Sequence, residues 1–135
     1  MSRYTRIPAL VALMAAMNLS TAAWAGAKGG SGVSIVFSGD NGTASGTMGT
    51  VRGSSDTLQY IGCTVSATAG SSRAVWCSAR NSSNVTVTCS SAEPEIVQVM
   101  DAVTSDAHIA FSWDAQGSCI GLSVRPDSRY KPKEV

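Results

Sequence analysis

Histidine is nearly missing from this 135-residue chain, with His108 the single copy, and ten Lys and Arg residues stand against nine Asp and Glu. A lone imidazole argues against a histidine-built metal centre and leaves a Ser-His-Asp hydrolase only one candidate base. Charge so close to balance provides no basic stripe to neutralise several phosphates, so no nucleic-acid footprint is present. No Cys-x-x-Cys pair occurs, and the glycines before Asp56 lead into a strand rather than a helix, which removes zinc ribbons and phosphate cradles. No cofactor is expected.

What is present begins with a leader. Arg3 and Arg6 precede an apolar run from Pro8 to Met17, and Ala23-Trp24-Ala25 has the small-x-small pattern that signal peptidase reads. A signal peptide over residues 1–25, cleaved after Ala25, is therefore expected. Asn18, Ser20 and Thr21 interrupt the apolar run too early for a membrane anchor, which needs about 20 apolar residues. Gly26, rather than a cysteine, follows the cut, which argues against a lipid anchor. Without Arg3 and Arg6 the ten basic residues fall to eight against nine acidic ones, a formal net of −1. The remainder is enough for one modest core.

All four cysteines, Cys63, Cys77, Cys89 and Cys119, fall in that remainder. In an exported chain they predict two disulfides, because oxidising compartments let such bonds persist. Four cysteines allow three connectivities. If the strands around Cys63 and Cys77 form a hairpin turning at Ala69–Ser72, these two lie opposite each other, which favours Cys63–Cys77 with Cys89–Cys119. The main rival pairs Cys77 with Cys89.

Pattern divides the rest. Residues 26–55 read as a Gly/Ser/Thr-rich arm with one strand, Val33–Phe37, where Val33, Ile35 and Phe37 alternate. Ser38–Ser55 carries five glycines, with Met48 and Val51 as its only large apolar side chains, so a long loop or irregular edge strand is expected. Asp40-Asn41-Gly42 is a turn signal. Residues 56–125 read as the disulfide-stabilised domain. Ile61, Cys63 and Val65, then Val75, Cys77 and Ala79, then Val87 and Cys89 alternate with polar partners, which predicts a three-stranded antiparallel meander.

After Cys89 the period becomes 3.6. Ser90 and Glu93 have capping-box spacing, Pro94 suits a first turn, and Ile96, Val99, Met100 and Val103 form one stripe, predicting a helix of about 12 residues. A closing hairpin follows, with Ala107, Ile109, Phe111 and Trp113 on one face and Ile120, Leu122 and Val124 on its partner. Residues 126–135 form an extended tail made locally basic by Arg129, Lys131 and Lys133. The fold class is α+β: five to six antiparallel strands, one packed helix, two disulfides.

Functional candidates are few. His108, Ser112 and Asp114 share a strand face, but positions i and i+4 on a strand lie about 13 Å apart, so a solvated polar face is expected rather than a triad. Tyr60 and Trp76 lie opposite the cysteine face. They are either an exposed patch near one another or core beneath the helix. With Arg129, Tyr130 and Lys131 of the tail they are the candidate binding residues, and no catalytic or metal-ligating residue is assigned. Gly32-Val33-Ser34-Ile35-Val36-Phe37-Ser38-Gly39 resembles the opening strand of fimbrial subunits, and Cys63-Thr64-Val65-Ser66-Ala67 resembles a strand of secreted pilin domains. The helix, the second cysteine pair and the basic tail depart from that family, so the resemblance implies strand addition as a permitted mechanism and no more. The expected function is an exported, non-catalytic protein binder of inhibitor or immunity type; the alternatives are a self-assembling filament subunit and a carbohydrate-binding module.

Overall fold

The computed structural model describes residues 29–130. Seven antiparallel strands form two sheets. The expected signal peptide and Lys131 lie outside the described residues. The four-stranded sheet runs in the order β1 (Ser34–Ser38), β2 (Asn41–Thr47), β6 (His108–Trp113), β7 (Cys119–Arg125), and the three-stranded sheet in the order β3 (Tyr60–Ser66), β4 (Ala74–Arg80), β5 (Thr86–Ser91). Both bury their inner faces in one core, led by Val75, Ala79, Ile109 and Phe111. This is the expected α+β class, with seven strands in two sheets where five to six were expected.

The additional strand is β2, which occupies the stretch expected as a long loop or irregular edge strand and lies instead inside the sheet, between β1 and β6. Its glycines are inward positions: Gly42, Ala44 and Gly46 are buried while Asn41 and Thr43 face solvent. A Cβ on Gly42 would lie 2.4 Å from the Trp113 ring, and one on Gly46 would lie 3.3 Å from Ile61. The strand is built of small residues because large ones lean over it. The preceding turn sits two residues earlier than the Asn41-Gly42 signal, with Gly39 at φ 63° as the first of the two linking residues. Met48 and Val51, three apart, anchor a short helix α1 (Met48–Arg52) instead of a loop.

The meander forms as expected, and its cysteine face points inward. Cys63 pairs directly with Cys77 across β3 and β4, and they form one disulfide. Cys89–Cys119 is the other, joining β5 to β7 and therefore one sheet to the other. Backbone pairing between Ser90 and Ser118 lies beside it.

The helix is shorter than predicted. α2 spans Pro94–Val99 and a 3-10 turn continues over Met100–Ala102. Ser90 belongs to β5, so the capping box does not form; Ser91 Oγ instead accepts from the Glu93 N–H. Val97 and Met100 are the buried pair, whereas Val103 is exposed.

Candidate functional site

The structure settles the two possibilities for the meander's aromatics. α2 packs on β7 and β4 without covering the face opposite the cysteines, and Trp76 there is 52% exposed. Tyr60, at 36%, shares that face but is not beside Trp76. Register explains the separation: Tyr60 pairs with Arg80, and Trp76 with Thr64, four residues along β3 and so about 13 Å away.

Between the two rings lies a groove of about 350 Å³. Its floor is made of small residues, Gly62 facing Ser78 across the strands, with Thr64 and Thr88 beside them. Nothing lies within 4 Å of where a Gly62 Cβ would stand. At the Tyr60 end the Arg80 guanidinium sits 5.0 Å above the ring and reaches Asn84 Oδ1 at 3.4 Å, placing a positive charge there.

A second groove, about 610 Å³, opens on the other side of Trp76 towards Glu93, Ile96 and Ile120. Ile120 was expected in the core, and a β-bulge overturns that. Between Ser112 and Trp113 the register with β7 shifts, so Trp113 faces Cys119 while Ser112 faces Gly121. Cys119 thereby turns inward to its disulfide, and Ile120 is pushed out to 59% exposure. Trp76 is thus a ridge between two grooves, with Arg80 near one end and Glu93 at the other.

The remaining candidates sit elsewhere. His108 Nδ1 lies 3.2 Å from Thr47 Oγ1, and its ring stacks on Tyr130 at 5.8 Å. Burial, and then the nearby Arg125 charge, hold it below the ordinary histidine value. Asp114 does not reach it; Asp114 Oδ1 accepts from the Gln116 and Ser118 N–H groups in the β6–β7 turn. Tyr130 also pairs in parallel with Gly29, and the Gly29 N–H donates to the Arg129 carbonyl, so this part of the tail docks beside Gly29. Arg129 is tied to Asp127, whose carboxyl this hydrogen-bonded guanidinium holds down at about 2. The tail's described part therefore offers less free positive charge than its sequence suggests.

The Sγ atoms of Cys77, Cys89 and Cys119 lie within 4.8 Å of one another, but all are in disulfides and offer no thiolate to a metal. Among the described residues no helix is long and apolar enough to cross a membrane. Comparison with protein-family models, curated proteins and solved structures gave no match. Exposed aromatic and charged side chains, Trp76, Tyr60 and Arg80, gather on the outer face of β3–β5.

Proposed function

We propose that this chain is an exported, non-catalytic interaction protein that binds another protein on the outer face of β3–β5, as an inhibitor or immunity-type binder does. Two disulfides fit an extracellular or periplasmic setting. The leader with its Ala23-Trp24-Ala25 site adds the route, export with cleavage after Ala25.

One observation carries the binding assignment: Trp76 stands half in water on the central strand of a disulfide-stapled sheet. A tryptophan on a flexible loop folds back onto apolar surface; this one is fixed by pairing with β3 and β5 on both sides. Trp, Tyr and Arg are the residues that dominate protein interfaces, and Trp76, Tyr60 and Arg80 share this face. Covering the exposed half of such a ring is worth roughly 2–3 kcal/mol.

The test immobilises the oxidised protein and exposes it to periplasmic and culture-supernatant fractions, with Trp76→Ala alongside. A partner captured by the parent should bind the variant at least about 30-fold more weakly, at an unchanged melting temperature. Equal capture by both would remove this face from consideration. A carbohydrate ligand is the second reading, favoured by the hydroxyl floor of Thr64, Ser78 and Thr88 between the two rings. Glycan-array binding lost in Trp76→Ala, with no protein captured, would establish it in place of the first.

A further inference from the structure

The four-stranded sheet has two end strands, and they are treated differently. β7 is bound to β5 at its start through Cys89–Cys119 and the Ser90–Ser118 pairing, and α2 packs against it. Among the described residues β1 has β2 on one side and no strand on the other. At its entry the Val33 N–H donates to Gln59 Oε1 at 2.8 Å and the Ser31 N–H to Thr47 Oγ1 at 3.2 Å. Edge strands present alternate N–H and C=O groups to solvent, and proteins guard them with Lys, Pro, bulges or short length. Ser34-Ile35-Val36-Phe37-Ser38 has neither charge nor proline, and its pairing with β2 runs without a bulge. Val36 is 59% and Phe37 56% exposed.

We infer that β1 is a self-recognition edge, where a second copy of this chain pairs antiparallel about a two-fold axis at Val36. The sequence is self-complementary in that register. Val36 meets the partner's Val36 on the outer face, and Ile35 meets the partner's Phe37 on the inner one, twice by symmetry. Ser34 faces the partner's Ser38. Asp40 falls opposite the partner's Gly32, so no like charges meet. Phe37 is already oriented: it packs edge-on against Trp113 at 5.7 Å, and Gly42, the residue between them in the sheet, leaves the room. The pairing uses the same edge of both copies, and β7 is already occupied, so it closes as a dimer rather than continuing as a filament. This surface is separate from the Trp76 face, and its test does not depend on any ligand.

Sedimentation of the oxidised protein across micromolar to millimolar concentration should show a mass rising from one copy to two and stopping there. Val36→Lys, which sets two charges opposite each other at an already exposed position, should remain a monomer throughout and melt at the parental temperature. Val36→Cys should form a covalent dimer on mild oxidation, because directly opposed Cβ atoms lie about 5 Å apart, and Val85→Cys, exposed elsewhere, should not. A parent that stays monomeric, a dimer that survives Val36→Lys, growth past two copies, or equal cross-linking of the two cysteine variants would each overturn the inference.

Discussion

Replacing Gly62 by valine should move stability and binding in opposite directions. Gly62 lies inside β3, paired with Ser78, and its absent side chain is the middle of the groove floor between Tyr60 and Trp76. No atom stands within 4 Å of the Cβ position, and the backbone is not in the left-handed region, so an L side chain enters without strain. Glycine in a strand interior costs about 0.5–1 kcal/mol relative to alanine, and valine favours a pleated surface further. A gain of about 1 kcal/mol corresponds to a melting temperature higher by roughly 4–8 °C in a domain of this size. The same isopropyl group fills the groove where a ligand side chain or sugar ring would sit. Calorimetry and ligand titration on one preparation read both effects. If binding survives in a stabilised variant, the Tyr60–Trp76 groove is not the site; if stability falls, the space above Gly62 is not free.

Three further outcomes follow from the same geometry. Cys89–Cys119 closes a separation of 30 residues and Cys63–Cys77 one of 14, so paired Cys→Ala variants should lose about 3.6 and about 3 kcal/mol in denaturant unfolding; the reverse order would contradict the chain-entropy argument. Gly42→Ala drives a methyl group to 2.4 Å from the Trp113 ring and 2.6 Å from the Val36 carbonyl oxygen, and should cost about 1–3 kcal/mol with a changed near-UV circular dichroism spectrum. His108 faces Thr47, Arg125 and Tyr130 and is held below its ordinary value. Its unfolded form therefore takes up a proton first, and its contribution is complete above pH ~6.5 and lost as pH falls below that. Melting curves of His108→Gln between pH 5 and 7.5 should show a shallower pH dependence than the parent.

Strands whose inward residues are large were legible from alternation alone. Val75, Cys77 and Ala79 on β4, and Ile109, Phe111 and Trp113 on β6, are buried as their period-2 spacing predicts. β2 was not legible by that criterion, because its inward residues are Gly42, Ala44 and Gly46. The signal was still there: small residues alternate with Asn41, Thr43 and Ser45, a strand written in volume rather than hydrophobicity. The helix erred the other way. Ile96, Val99, Met100 and Val103 make a regular stripe, but it breaks into a 3-10 turn after Val99, so Val97 and not Val103 reaches the core. The groove escaped sequence reading because Gly62 looks like a weak strand residue until Tyr60 and Trp76 are seen to stand on either side of it.

The bulge at Ile120 shows how one constraint shapes the site. Cys119 is odd-numbered and must face inward to reach Cys89, while Leu122 and Val124 are even-numbered and face Phe111 and Ile109. A regular strand cannot point residues of both parities the same way, so one residue must be extruded between Cys119 and Gly121. That residue is Ile120, and it emerges across the second groove from Trp76. The disulfide that locks the sheets together therefore also sets an apolar side chain beside the exposed indole. The two properties are coupled in one test. In the Cys89→Ala/Cys119→Ala protein, release of the bulge should let Ile120 turn inward, and the groove beside Trp76 should lose its far wall even where the fold survives. Fluorescence of Trp76, read as the difference between this variant and the same variant carrying Trp76→Phe, should then respond to quencher more strongly than in the parent; an unchanged response would show that the bulge is held by the β6–β7 pairing itself and not by the disulfide.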